Sequence, residues 1–120
     1  MKQFEQNKQF SFTMGIEDFI NASKDFLFAN SFKISGETNI SNGYSIHAQK
    51  GSETALRLLG ALLTTKKQLP IKINIKIMND KKVDFFVTSD IVGVGSSFGL
   101  EKKFTNYFSE IFNLYQKVIS

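Results

Sequence analysis

Polar and hydrophobic residues alternate along five segments of this 120-residue chain, and a period of two is typical of strands with one buried face. The clearest segment is 70–78, in which four isoleucines alternate with lysine and asparagine. The same pattern predicts strands at 32–40, 44–50 and 82–91. It also predicts a strand within 2–13, where the phenylalanines share one parity.

Other segments have the spacing of an amphipathic helix, in which apolar residues recur every three or four positions. The first is 16–29, with Glu17 and Asp18 in its first turn, where the helix dipole favours negative charge. The second is the closing segment 99–118. A third helix is expected at 53–64, but its leucines spread around most of the helical circumference instead of forming one stripe.

The order of these elements predicts a single α+β domain over residues 1–120, with the plan β-α-β-β-(α)-β-β-α. Asn42 and Gly43 form the strongest short hairpin signal, and the short connections favour an antiparallel sheet of four or five strands. We expect the helices at 16–29 and 99–118 to cover the apolar face of this sheet.

The parity of each predicted strand assigns its side chains to a buried face or to a solvated face. On the strand at 32–40 the buried set is expected to be Phe32, Ile34, Thr38 and Ile40. Phe86 is expected to point outward. The solvated face is expected to carry mainly charged residues and one histidine: Lys33, Glu37, His47, Lys72, Lys76 and Asp84.

This element order resembles the β-α-β4-α plan shared by TATA-binding-protein-like (TBP-like) folds and the helix-grip group. In those folds a curved antiparallel sheet grips a long C-terminal helix, so the resemblance implies a cavity between the two. The resemblance covers the whole chain. It rests on element order without signature residues, and it therefore transfers neither a function nor a functional residue.

The composition restricts the chemistry that this chain can perform. The absence of cysteine excludes disulfides, cysteine-ligated metal sites and thiol catalysis, and a lone histidine excludes a two-histidine metal site. Neither paired carboxylates nor a nucleophile elbow is present, so we expect no enzymatic activity and no cofactor. The net charge is +4, and all basic residues except Arg57 are lysines. Surface lysines of this kind typically keep a protein soluble.

The thirteen phenylalanines indicate a core or an apolar cavity rich in aromatic side chains. The leading functional hypothesis is therefore a small non-enzymatic binding module for a hydrophobic small molecule, a lipid or a partner segment. Its site would lie between the sheet, the last helix and the helix at 53–64. The expected lining residues are Phe85, Phe104, Phe108, Ile111, Leu59 and Leu63.

The leucine-rich segment 53–64 also supports a different class of function. A helix that is apolar nearly all round is either buried on several sides or docks onto something else. The first case makes it a third core helix. The second makes it a lid over an apolar cavity, a protein-interaction or homodimer element, or a membrane-surface element. In the membrane version Lys66 and Lys67 would attract anionic lipid. The surface expected in that case comprises Leu56, Leu59, Leu63, Lys66 and Lys67.

Two further patterns carry weaker signals. The glycine-rich run at 93–99 could form a phosphate-binding turn, but it has no βαβ context and is also typical of a bulged strand exit. His47 is the only histidine and belongs to a residue type used in acid–base catalysis, but its outward position on a strand favours an ordinary solvated histidine.

A set of polar residues around Phe86 resembles in outline a platform for single-stranded nucleic acid, with Lys72, Asn74 and Lys76 beside the ring. The scarcity of arginine and the single outward aromatic argue against that partner. We therefore expect no nucleic-acid binding.

The N-terminal sequence has no apolar stretch typical of a signal peptide. No window reaches the roughly 18 apolar residues that a membrane-spanning helix needs. We therefore expect a cytoplasmic protein without a transmembrane segment.

Overall fold

The computed structural model describes residues 4–51, 70–89 and 100–119. The predicted helix at 53–64 and the glycine-rich run at 93–99 lie outside these residues. The described elements, in chain order, are β1 (Glu5–Ser11), α1 (Ile16–Ala29), β2 (Lys33–Ile40), β3 (Gly43–Lys50), β4 (Ile71–Met78), β5 (Lys82–Ser89) and α2 (Leu100–Ile119).

All five strands form one antiparallel sheet with the order β1-β5-β4-β3-β2. The first strand therefore lies beside the last one, and the intervening strands follow in descending order. The α+β class and the antiparallel sheet predicted from the sequence are confirmed. No helix within the described ranges is both long and apolar enough to cross a membrane.

Both helices pack on the same face of the sheet, which we call the inner face. The alternating isoleucines of β4 point to this face, and each is at most 2% exposed. Above them, Phe85 of β5 lies 4.6 Å from the ring of Tyr115 on α2 and 6.3 Å from that of Phe26 on α1, measured between centroids. Contacts between aromatic rings therefore join both helices to the sheet.

A β-bulge in β2 overturns part of the predicted parity. Ile34 pairs with Ala48 and Gly36 pairs with His47, so Ser35 is an extra residue in β2. Beyond the bulge, every side chain lies on the face opposite to the one predicted. Register assigns Glu37 and Asn39 to the inner face, whereas Thr38 and Ile40 lie on the other face. The prediction of a buried Thr38 and Ile40 and of an outward Glu37 was therefore wrong.

The ends of α1 show how local chemistry fixes its limits. Glu17 and Asp18 occupy the first turn, where they complement the positive end of the helix dipole. At the other end, the Asn30 side-chain amide donates to the carbonyl of Phe26 at 2.8 Å. Ser31 then adopts φ of 68°, a left-handed conformation that turns the chain from the helix into β2.

Candidate functional site

The residues predicted to line an apolar site are buried in the core wherever the structure describes them. Phe85, Phe104, Phe108 and Ile111 are each at most 1% exposed. The other predicted residues of that site and of the interaction surface, Leu56, Leu59, Leu63, Lys66 and Lys67, lie outside the described residues. The binding of a hydrophobic ligand or partner by these residues stays a prediction.

Protein side chains surround Phe85 on the inner face. The ring of Phe112 lies 5.6 Å from it, in addition to the rings of Phe26 and Tyr115. Phe104 lies at the other end of α2, where its ring is 5.4 Å from Phe4. The inner face near Phe85 is therefore packed with the protein's own rings.

The opposite face of the sheet, here called the outer face, is covered by neither α1 nor α2. One row of residues crosses all five strands on this face, because each is the register partner of the next. From β2 to β1 the row is Gly36, His47, Asn74, Phe86 and Asn7. Phe86 is half-buried, and none of the ring contacts among the described residues involves it.

A depression of about 480 Å³ lies on the outer face along this row. Gly36 contributes to the open space because it has no side chain, and a Cβ atom at this position would meet no heavy atom within 4 Å. The lining combines hydrogen-bonding side chains with one phenylalanine ring and includes Gly36, His47, Gln49, Lys72, Asn74 and Phe86. A site of this volume is large enough for a small molecule.

A second depression, of about 240 Å³, adjoins the first. The two share Asn74 and Phe86, so this cross-strand pair separates them. Lys76, Asp84 and Asn7 line the smaller one. The ring of Phe86 can therefore contact a ligand in either depression.

The two depressions differ in charge. Among the described residues that line the larger one, Lys72 carries a positive charge and none is a carboxylate. The smaller depression contains Asp84 beside Lys76.

A hydrogen-bond network beneath the row positions Asn74. Ser45, only 3% exposed, donates from Oγ to Asn74 Oδ1 at 3.1 Å and lies 3.3 Å from His47 Nε2. A hydroxyl has one proton, so when Ser45 donates to Asn74, His47 Nε2 must donate to Ser45. Asn74 then has its Nδ2 group left to donate to a ligand.

This network does not have the arrangement of a nucleophile and its base. A catalytic pair requires an accessible hydroxyl whose proton points to the histidine. Ser45 is buried, and its proton is directed to Asn74 in the network just described. In the part of the chain that the structure describes, no three acidic or histidine side chains lie close enough together to hold a metal ion.

Two sets of contacts, each around a lysine side chain, lie on the inner face and join elements of the fold. Lys24 Nζ of α1 lies 2.6 Å from Glu37 Oε1, and the Tyr44 hydroxyl donates to the same oxygen at 2.7 Å. The hydrogen bond from Lys24, and then that from Tyr44, holds the pKa of Glu37 below its ordinary value. The same contacts raise the pKa of Lys24 and of Tyr44. This ion pair exists only because the bulge turns Glu37 toward α1.

Lys50 forms the second set of contacts, at the end of β3. Its ammonium group donates to the Asn30 carbonyl at 3.1 Å and to the Tyr107 hydroxyl. It also lies 4.8 Å from the ring centroid of Phe32 and 4.5 Å from that of Tyr107. These contacts are cation–π interactions that tie β3 to the end of α1 and to α2. The alternating pattern of β3 gave no signal for this role.

A comparison of the sequence with models of known protein families and with curated proteins finds no match.

Proposed function

We propose that this protein is a non-enzymatic binding module and that its ligand binds in the 480 Å³ depression on the outer face. The observation that carries this proposal is the row from Gly36 to Asn7, which places a half-buried ring among hydrogen-bonding groups. Small-molecule sites typically combine an apolar surface with a few convergent polar groups. The depression has both, and its volume is within the usual range of about 300–1,000 Å³.

The proposal includes a fold of the TBP-like or helix-grip kind. The support for it is the order of the described elements, together with the packing of the long terminal helix α2 on the antiparallel sheet. In this protein the inner face around Phe85 is filled by aromatic rings. A helix-grip fold implies a cavity between the sheet and the long helix. Because rings fill that region around Phe85, we place the ligand on the outer face instead.

A leucine at position 36 tests the site. Because a Cβ at Gly36 meets no heavy atom within 4 Å, Gly36→Leu should fold normally and fill the depression. The matched control is Thr38→Leu, which adds apolar bulk on the same strand and face but outside the lining. Thermal unfolding of both variants would check that they fold.

The readout is a screen of small polar fragments by ¹H–¹⁵N NMR on the full chain. We expect bound fragments to shift the signals of His47, Asn74 and Phe86 in the wild type and in Thr38→Leu, but not in Gly36→Leu. Fragments that bind Gly36→Leu equally well, or that shift only signals elsewhere, would refute the proposal. Absence of any bound fragment would do so as well.

An apolar site near Phe104 and Phe108 is a second candidate function. The observation in its favour is the cluster of rings that these residues form with Phe4, at centroid distances of 5.4 and 5.9 Å. Oleate is a suitable probe, since its chain would bury against such a cluster. A higher Tm and a one-to-one adduct in native mass spectrometry are expected, and neither would appear if the core admits no lipid.

A further inference from the structure

We infer that the ligand of the larger depression is a small anion that carries a flat ring, of the class of nucleoside monophosphates. This inference rests on the proposed function, because it specifies the chemistry of the same site. It assigns the ring to Phe86, the anionic group to Lys72, and the polar groups between them to Asn74 and its neighbours.

The position of Phe86 supports the assignment of the ring. Its side chain is half-buried on β5, which lies between β1 and β4. Asn7 of β1 and Asn74 of β4 are its cross-strand partners on either side. The ring borders both depressions, and no other phenylalanine, tyrosine or tryptophan of the described residues shares either lining. A partly exposed ring among amides offers a stacking surface to a planar group, and base stacking of this kind contributes substantially to binding.

The distribution of charge supports the assignment of the anion. Lys72 lines the larger depression, and its register partner Thr88 lies two residues from Phe86. Such diagonal neighbours have Cα atoms roughly 7–8 Å apart, within reach of a lysine side chain. His47 borders the same depression, whereas Asp84 borders only the smaller one. An anionic group is therefore favoured on the Lys72 side of the ring.

The groups between ring and anion are donors and acceptors suited to a hydroxylated linker. Ser45 holds the Asn74 amide by its Oδ1 atom, which leaves Nδ2 as a donor. Thr88 borders the same space, and its hydroxyl donates to the Phe4 carbonyl, so its oxygen can accept. A sugar between base and phosphate presents hydroxyl groups that match this mixture.

Calorimetric titrations with AMP, adenosine and inorganic phosphate would test the inference on the full chain. We expect AMP to bind at least about tenfold more tightly than either part alone, because it alone engages both Phe86 and Lys72. Added salt should weaken the binding of AMP but not that of adenosine. A phosphate ion that binds as tightly as AMP would overturn the inference, since the ring would then contribute nothing.

Three variants separate the contributions of ring and charge. Lys72→Gln and Phe86→Leu are each expected to weaken AMP binding at least about fivefold, through loss of a charged hydrogen bond and of stacking respectively. Lys82→Gln is the matched control, because Lys82 lies on the outer face at the far end of β5 and borders neither depression. Equal affinity in the wild type and in Lys72→Gln or Phe86→Leu would contradict the assignment.

The outcomes also distinguish this inference from the proposed function. If neutral fragments bind and Gly36→Leu excludes them while AMP does not bind, the inference fails and the outer-face site stands. If nothing binds in the depression, both fail. The remaining outcome is that a short single-stranded oligonucleotide binds more than about tenfold more tightly than AMP, with a steep loss of affinity in salt. That result would identify a nucleic-acid strand as the ligand of the outer face and would overturn the inference of a small ligand.

Discussion

The hydroxyl oxygens of Ser23 and Tyr115 lie 2.8 Å apart in the core, and neither residue is exposed to solvent. Ser23 belongs to α1 and Tyr115 to α2, so this bond joins two helices that are distant in sequence. The centroid of the Tyr115 ring is also within 6.0 Å of four phenylalanine rings, which come from β1, α1 and β5. The bond thus satisfies two polar groups where water cannot reach them.

Replacing Ser23 by alanine should destabilise the protein more than the size of the change suggests. The substitution leaves the Tyr115 hydroxyl buried without its partner, and an unsatisfied buried group costs about 1–3 kcal/mol. Tyr115→Phe should cost less, because the Ser23 hydroxyl can then donate to a carbonyl of its own helix. Urea unfolding of both variants measures the two free energies.

The double variant Ser23→Ala/Tyr115→Phe serves as the control for this prediction. It removes both polar groups, so its free energy of unfolding should exceed that of Ser23→Ala alone. A double variant that is less stable by the sum of the two single effects would show that the hydrogen bond is not what couples these residues.

The stability of the protein should fall at alkaline pH in a way that depends on Tyr115. Burial raises the pKa of Tyr115 well above its ordinary value, and the bond to Ser23 only partly opposes this. The folded state therefore keeps a proton that the unfolded state loses above about pH 10, so stability is constant below that pH and falls above it. The loss should reach about 1.4 kcal/mol at pH 11.

Comparison with Tyr115→Phe isolates this effect, since the other titrating groups are common to both proteins. We expect the stability difference between wild type and Tyr115→Phe to be constant from pH 7 to 9 and to shrink by pH 11. A difference that does not change with pH would mean that Tyr115 titrates alike in the folded and unfolded states.

Glu37 should contribute stability that disappears at acidic pH. Lys24 and Tyr44 hold the pKa of Glu37 below its ordinary value, so the contribution is present above about pH 4.3 and is lost as the pH falls through the folded-state pKa. The side chains of Lys24 and Glu37 are 30% and 29% exposed, so solvent screens the pair and its worth is about 0.2–1 kcal/mol.

Glu37→Gln tests this prediction by urea unfolding at pH 7 and at pH 2.5. The variant should be less stable than the wild type at pH 7 and nearly equal to it at pH 2.5. When Lys24 is already replaced by glutamine, the further change Glu37→Gln should cost less stability at pH 7, because the stronger of the two contacts is then absent. An equal loss of stability at both pH values would contradict the role of the ion pair.

Alternation predicted the strands well wherever the side chains differ strongly between the two faces. The isoleucines of β4 allow only one register, because a slip of one residue would bury its lysines. In β2 the sequence from Ser35 to Asn39 contains no large apolar side chain, so a change of register there would expose no apolar surface. The bulge at Ser35 could therefore form without a signal in the pattern, and it moved Glu37 to the inner face.

The candidate site on the outer face could be predicted only in part. The outward position of Phe86 and the presence of Lys72, Asn74 and Lys76 on its face follow from parity. Their alignment with His47 and Gly36 depends on the pairing register and on the bulge, both of which are set by tertiary contacts. Ser45 was likewise predictable as outward but not as buried beneath its neighbours.

Two glycines on adjacent strands should respond in opposite ways to the same substitution. A Cβ at Gly43 would overlap the carbonyl oxygen of Ile77 and lie 2.9 Å from Met78 Cα, so β3 and β4 would have to separate. Overpacking of this kind costs about 1–3 kcal/mol, and backbone atoms have little room to relax. We therefore expect Gly43→Ala to lose at least about 2 kcal/mol in urea unfolding.

Gly36→Ala is the matched control, because its Cβ would meet no heavy atom within 4 Å and its φ is not in the left-handed region. The change also restricts the unfolded chain, so stability should stay within about 0.5 kcal/mol of the wild type or rise slightly. A tolerated Gly43→Ala would mean that the β3–β4 pairing adapts at the hairpin end. A damaging Gly36→Ala would mean that the bulge needs glycine for its backbone rather than for the open space it leaves on the outer face.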